Sequence, residues 1–318
     1  MKGSIVLITG GAGLIGVNLI EELLKKGVKK IVVVDNLSSG NINFLPKDER
    51  LEFFSVDIFR FDELRSIFTS FDFNYIFHLA AHFANQNSVD HPFSDMQTNV
   101  IGTMNLLELS KENKHIKKFI YASSSCVYGD SEIMREGDFI YPFETPYAIN
   151  KYSAEMYVKY YAHNFKLPTI SVRIFNTFGP YEIAGKYRNV IPKFIENAIL
   201  SKDIVITGNG DETRDFTYVS DTVELLIKAA MSNVNNGDYF NGGTGKETKI
   251  VDLASMIIEL TNSKSKIVFK PRREWDLVLK RVAEISKSKK ILGYKPKISL
   301  EDGLKKYIKW YKGFMNYA

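Results

Sequence analysis

The chain has 318 residues, 45% hydrophobic and 25% charged, enough for two domains or one large one around a sizeable core. Its one cysteine excludes an internal disulfide framework and suits a reducing compartment, the cytoplasm by default, and no stretch approaches the roughly 18 apolar residues of a membrane span. The net charge of +5 is uneven: residues 264–318 carry 16 Lys and Arg against 5 Asp and Glu, a net of +11, most of which reads as a solvated lysine face and part of which could meet an anionic small molecule, whereas no basic stripe interleaved with aromatics points to nucleic acid.

The opening stretch Ile5-Val6-Leu7-Ile8-Thr9 has the apolar continuity of a buried strand and runs into Gly10-Gly11-Ala12-Gly13-Leu14-Ile15-Gly16. A helical pattern follows from Val17 to Lys26, with Leu19, Ile20, Leu23 and Leu24 on one stripe. The apolar opening leads into the glycines without a cleavage-like region, so no signal peptide is expected. Strand, glycine-rich turn and helix form the context of a dinucleotide site. Gly10 permits a sharp turn, Gly13 a close approach to a pyrophosphate, and Gly16 tight packing of the helix. The next strand, Lys30 to Asp35, ends in an acid 19 residues after Gly16, placed for the adenosine ribose hydroxyls. An acid there repels a 2′-phosphate, so the expected cofactor is NAD rather than NADP.

Strand and helix patterns then alternate. Leu51 to Asp57 reads as a third strand and Phe61 to Phe71 as a helix. Tyr75 to Ala81 reads as a fourth strand ending in small residues, Pro92 to Lys111 as a helix, and Lys118 to Ser123 as a fifth strand. This order predicts a parallel sheet covered on both faces, with ligands at the carboxyl ends of its strands. Beyond residue 203 the signals shorten: a turn-rich stretch from Ile204 to Asp221, a helix from Asp221 to Ala230, and a late strand at Tyr239 to Gly243. A small strand is expected within Lys264 to Pro271 and an amphipathic helix over Leu300 to Tyr311. Without a low-complexity linker, a second lobe is expected to grow out of the first.

The catalytic signal is Tyr147-Ala148-Ile149-Asn150-Lys151. A spacing of four places both side chains on one helix face, where an ammonium favours the phenolate and equips the tyrosine for acid–base work. Ser123-Ser124-Ser125 follows the fifth strand, so a serine hydroxyl emerges at the same edge and can share a proton with the tyrosine. Cys126 has no His or second Cys at ligand or nucleophile spacing and reads as a packing residue. His78 and His82 read as neighbours of the cofactor or core, and no metal site is expected.

Taken together, Thr9 to Gly16, Asp35-Asn36-Leu37-Ser38-Ser39-Gly40, His78-Leu79-Ala80-Ala81, Ser123 to Ser125 before Val127-Tyr128-Gly129, and Tyr147 with Lys151 resemble the extended short-chain dehydrogenase/reductase family. The resemblance continues through Arg173-Ile174-Phe175-Asn176, Gly179-Pro180, Thr213-Arg214-Asp215-Phe216, Pro271-Arg272-Arg273-Glu274-Trp275-Asp276 and Ile285-Ser286-Lys287. Within that family the chain is most similar to the NAD-dependent sugar-nucleotide 4-epimerases. The resemblance implies a Rossmann-type doubly wound parallel sheet with a smaller C-terminal α/β lobe. Residues 1–176, with about 220–243 returning to them, would bind NAD; 177–219 and 244–318 would bind the sugar nucleotide.

By the same resemblance, Gly10, Gly13, Leu14 and Ile15 would line the pyrophosphate, and Asp35, Asn36, Ser39 and Gly40 the adenosine ribose. Asp57 and Ile58 would flank the adenine. Leu79, Ala80, Ala81, Asn99 and Phe175 would border the cofactor further along. Ser124, Tyr147 and Lys151 would be catalytic, Lys151 also meeting the nicotinamide ribose. Asn176, Val190 and Asp276 would touch the substrate, a UDP-sugar foremost, and Arg214 and Arg273 would offer paired donors to its diphosphate. The implied reaction passes through a transient 4-keto sugar. The helices near 92–111 and 147–165 would pair in a homodimer, with Met156, Tyr157, Tyr160 and Tyr161 available for the contact.

Related dehydratases place Asp-Glu where Ser125 and Cys126 stand, and decarboxylases a Glu at Cys126, so elimination and decarboxylation rank below epimerisation. Non-catalytic relatives lack the Tyr, the Lys or the glycine pattern, all of which this chain keeps. Three departures concern the substrate. Thr207 stands where an aromatic is usual, Trp275 replaces a common glycine, and Lys280 and Arg281 bring positive charge to the region that gates sugar size, which would favour a uronic acid.

Overall fold

The computed structural model describes residues 1–131, 133–273, 276 and 278–317. Seven parallel strands form the central sheet: β1 (Ile5–Thr9), β2 (Lys30–Val34), β3 (Leu51–Phe54), β4 (Tyr75–His78), β5 (Lys118–Ser124), β6 (Thr169–Ile174) and β7 (Asn236–Gly242). Their order is β3-β2-β1-β4-β5-β6-β7. After β3 the chain crosses to the other side of β1, which leaves a crevice between the carboxyl ends of β1 and β4. Thr9 is there in register with Val34 on one side and His78 on the other.

Both faces of the sheet are covered, as the unbroken apolar runs of β1 and β2 require. Alternate residues serve opposite faces. Val6 and Ile8 pack with Leu19, Ile20 and Leu23 of the helix Leu14–Lys25. Leu7, Val32 and Val34 pack on the other face with Leu64, Leu106, Leu107 and Val158 from three further helices. The first of these cores runs without a break into the second lobe, where Leu253, Ile257, Leu304 and Tyr307 belong to the same cluster.

The expected helix over 92–111 is more complex than its periodicity suggested. A short helix, Asn85–Asp90, precedes it, Pro92 opens it, and a π turn over Gln97–Gly102 interrupts it before Thr103–Glu112. The wider turn carries Asn99, whose Oδ1 accepts the His82 backbone N–H at 3.0 Å. The late strand begins earlier than expected, at Asn236, and joins the main sheet beside β6.

The second lobe is built from small sheets. Ile204–Thr207 lies parallel to Ile267–Lys270, and Asn176–Phe178 parallel to Phe216–Tyr218. Thr213–Arg214 sits between Thr248–Lys249 and Lys280–Arg281. The closing helix runs from Leu300 to Tyr317, longer than expected, with Tyr307 and Tyr311 buried.

Candidate active site

The crevice at the carboxyl edge is a cleft of about 580 Å³, walled by the strand ends of the main sheet, residues 174–177, Glu182, Arg188, Asn189 and Arg281 among others. Gly10, at φ 71°, turns the chain where a Cβ would come within 2.6 Å of the Ala80 nitrogen. A Cβ on Gly16 would meet the carbonyl oxygen of Gly10 and the Cα of Gly11, both at 2.5 Å, so this glycine packs the helix onto the turn itself. Gly13 differs. A Cβ there would find only the Gly10 oxygen at 3.5 Å, and the residue lines the cleft. Its own fold leaves that space open, as a pyrophosphate lying on the helix N-terminus requires.

Asp35, at the end of β2, is buried and accepts N–H groups from Ala12 at 3.0 Å and Leu37 at 2.8 Å. Burial raises its pKa and those two donors oppose the rise. Asn36 donates to Asp57 Oδ2 at 2.8 Å, while Asp57 Oδ1 is buried with no partner in the protein. That orphaned acceptor in the cleft wall suits the amino group of an adenine. Leu14, Ile15, Ser39, Gly40, Ile58, Leu79, Ala80 and Ala81 line the same space.

Ser124 ends β5, and Tyr147 and Lys151 lie on the helix Pro146–Phe165, which opens with Thr145 capping Ala148 and a proline in its first turn. All three are buried and line the cleft together with Phe175 and Asn176. The Tyr147 N–H donates to Ser88 Oγ at 3.0 Å, and the Phe83 ring meets the phenol edge-on with centroids 6.2 Å apart. Burial pushes the Tyr147 hydroxyl well up, Cys126 and Asp95 add to this, and Ser124 and Arg281 pull it down. Lys151 is pushed down to about 7 by burial, against Asp95 and Glu155. For these side chains burial is the largest effect on both, and on the tyrosine it opposes the shift that the helix spacing predicts.

The substrate-side residues divide. Asn176 lines the cleft; Val190, Arg214, Arg273 and Asp276 do not. Arg214 is paired with Asp276 at 3.6 Å and stands beside the cleft through Arg281, its register partner on the next strand. Arg281 is 6% exposed and does line the cleft. It donates to Cys126 Sγ at 3.4 Å and to Glu144 Oε2 at 3.4 Å, with its Nε unpartnered. Burial and Arg281 together push Arg214 down to about 10. Lys280 is exposed. Arg273 lies near enough to Lys193 to depress its pKa, after burial.

Other expectations also change. Asn99 does not line the cleft, because its amide is engaged with the His82 backbone; Gln97 and Thr98 line it instead. Cys126 packs as expected but also forms cleft wall. His78 is a core residue held between Thr9 and Thr103 at 2.8 Å each, and burial keeps it neutral, whereas His82 lines the cleft. Tyr161 is buried and donates to Glu108, so it is not available to a partner. Trp275 and Glu274 lie outside the described residues. No metal-binding cluster occurs among the described residues, and none of their helices is long and apolar enough to cross a membrane.

Two wall residues had no sequence signal. Arg188 reaches across to donate to the Ser39 carbonyl, and Glu182 is buried with Oε2 unpartnered. Both belong to the irregular segment after Gly179-Pro180, where neither periodicity nor motif marks a side chain.

Comparison with known proteins agrees with this geometry. The family model of the NAD dependent epimerase/dehydratase family matches residues 6–243. The structure of an epimerase from Methanothermobacter thermautotrophicus superposes with a TM-score of 0.96 at 38% identity, covering 99% of this chain and 94% of that one. A UDP-N-acetyl-alpha-D-glucosaminuronate decarboxylase from Bacillus cytotoxicus is 35% identical over 98% of each chain. A UDP-glucuronate 4-epimerase from Thermodesulfobacterium geofontis is 35% identical over 96% of this chain and 95% of its own.

Proposed function

Since the chain belongs to the NAD dependent epimerase/dehydratase family, with NAD as its cofactor, we propose that it interconverts the C4 epimers of a nucleotide-activated hexose, a UDP-sugar foremost. The supporting observation is the composition of the catalytic wall. Ser124, Tyr147 and Lys151 meet at the carboxyl edge, and the residues after Ser124 are Ser125 and Cys126. Neither is the carboxylic acid that related dehydratases and decarboxylases carry at these positions.

The glycine turn, Asp35 and the Asp57 oxygen would hold the dinucleotide. When bound, the oxidised nicotinamide would supply a hydride acceptor for the sugar carbon, a hydride donor for the return step, and positive charge in the site. Tyr147 takes the proton of the C4 hydroxyl and later returns it. Ser124 hydrogen-bonds that hydroxyl and shares the proton. Lys151 favours the phenolate. Arg214, Arg273 and Asp276 would hold the nucleotide end, with residues 177–219 and 244–318 as the substrate lobe.

A second reading rests on Arg281. A buried guanidinium in the cleft wall with an unpartnered Nε offers a charge-assisted donor to a sugar carboxylate, which would make the substrate a UDP-uronate. We also propose that the protein is a homodimer. The packed helices over 92–112 and 146–165 expose Phe93 at 79% and Tyr160 at 50%, with Met96, Ile149 and Tyr157 beside them. Light scattering after gel filtration tests this.

Proton NMR of the NAD-loaded protein with UDP-glucose, UDP-N-acetylglucosamine and UDP-glucuronate in separate tubes tests the reaction. The expected result is a C4 epimer in one of them. A decarboxylated or dehydrated product would overturn it.

A further inference from the structure

We propose that Glu155 is a positioning residue: its carboxylate ties the helix bearing Tyr147 and Lys151 to the strand bearing Ser124, and so fixes the spacing of the three side chains in the cleft. This rests on reading those three residues as the catalytic group.

Glu155 follows Lys151 by one helical turn and Tyr147 by two, on the same buried face. Ser123 donates its hydroxyl to Glu155 Oε2 at 2.5 Å. Arg173 donates Nη2 to Oε1 at 2.5 Å and Nε to both oxygens at 3.2 and 3.1 Å. Ser123 and Arg173 are register partners on β5 and β6. One carboxylate thus joins the helix to two strands, one residue before Ser124. The Arg173 guanidinium lies 4.7 Å from the Tyr128 ring and 4.0 Å from the Tyr239 ring, which leaves it little freedom to shift.

Stability is a weak reason for such a pair. Both partners are 1% exposed, and desolvating two charges offsets most of their attraction, so well-packed apolar side chains would serve as well. Its location gives a better reason. The groups facing Lys151 are Asp95 from the helix Pro92–Met96, Cys126 from the catalytic loop, His78 from β4, Tyr121 from β5 with its ring 4.3 Å from Nζ, and Glu155 from its own helix. Losing the Glu155 carboxylate unties the helix from β5 and β6 and leaves Arg173 buried without its partner, so the spacing of Tyr147 and Lys151 from Ser124 is no longer fixed.

The test is Glu155→Gln, read by NAD affinity and by steady-state rates. NAD affinity is expected to fall by roughly fivefold or more, because Lys151 on the loosened helix would meet the nicotinamide ribose. The kcat for sugar interconversion is expected to fall roughly tenfold or more with KM within about twofold. The NAD titration needs no sugar, so it decides on Glu155 even if no sugar nucleotide turns over. A folded Glu155→Gln protein with wild-type NAD affinity overturns the proposal. If that variant does not fold, Ser123→Ala, which keeps the Glu155–Arg173 pair, takes its place: a several-fold fall in kcat at constant KM supports the tie, and wild-type kcat overturns it.

Discussion

Arg214 and Arg281 stand in register on neighbouring parallel strands, two guanidinium groups at one edge of the catalytic cleft. Like charges so placed repel, and each has a carboxylate to offset this: Asp276 at 3.6 Å from Arg214 and Glu144 at 3.4 Å from Arg281. If Arg281 reads a sugar carboxylate, Arg281→Ser lowers kcat/KM for UDP-glucuronate by roughly 100-fold more than for UDP-glucose, the loss of one charge-assisted hydrogen bond of about 2–3 kcal/mol, since its effects on Tyr147 and Glu144 are shared by both sugars. Steady-state rates on the two sugars check this. Equal losses on both would place Arg281 in the framework of the site rather than in sugar recognition.

Two alanine substitutions separate the cofactor's demands from the fold's. Gly13→Ala adds a methyl that meets nothing nearer than 3.5 Å in the protein and at a backbone angle alanine tolerates, so the melting temperature should hold. NAD affinity should fall by roughly 100-fold, because the methyl occupies the phosphate path. Gly16→Ala places its methyl 2.5 Å from backbone atoms that cannot turn aside, and should destabilise the fold itself by about 1–3 kcal/mol. Thermal melts and NAD titrations of both variants provide the comparison.

Tyr147→Phe removes the hydroxyl while keeping the ring that packs against Phe83. The expected result is a kcat reduced by roughly 1,000-fold or more with NAD still bound, since loss of an acid–base group in the transition state is worth several kcal/mol. Retained turnover would assign the proton transfer to another group.

Glu182 makes stability depend on pH. Burial raises its pKa from 4.5 to about 7. Between those values the folded protein binds the proton that the unfolded chain releases. The destabilisation is therefore complete above pH 7 and absent below pH 4.5. Glu182→Gln should raise stability by on the order of 2 kcal/mol at pH 8, with the gain shrinking as the pH falls toward 5. Urea melts at pH 5 and pH 8 test the trend, and an equal gain at both would exclude a charge effect.

The first half of the fold was readable because its signals are local. Val6-Leu7-Ile8 and Ile31 to Val34 are apolar runs long enough to mark buried strands, and the glycine turn lies between recognisable neighbours. Tyr147, Lys151 and Ser124 share helix spacing and a strand end, so their meeting in the cleft followed from the pattern. What the chain order hid was tertiary. Asn99 belongs to a π turn, which hydrophobic period does not signal, and its amide is committed to His82. Arg188 and Glu182 reach the cleft from an irregular loop. The burial that governs Tyr147 and Lys151 is contributed by several elements at once, so the helix spacing alone overstated what the lysine does.

The seventh strand also bears on how the chain can be divided. β6 ends at Ile174 and its outer neighbour, β7, begins only at Asn236, so some sixty residues, the helix Val219–Met231 among them, are spelled out before the sheet is closed. A ribosome that has released only the first 180 residues has therefore made a sheet whose β6 edge is bare, with its N–H and C=O groups open to any passing strand. A fragment cut at that point would be expected to stick to its own copies. Linear order thus misrepresents the protein's units: the strand that completes the nucleotide-binding sheet arrives only after the stretch that builds the small sheets, and the first 180 residues are not a separable piece of sequence.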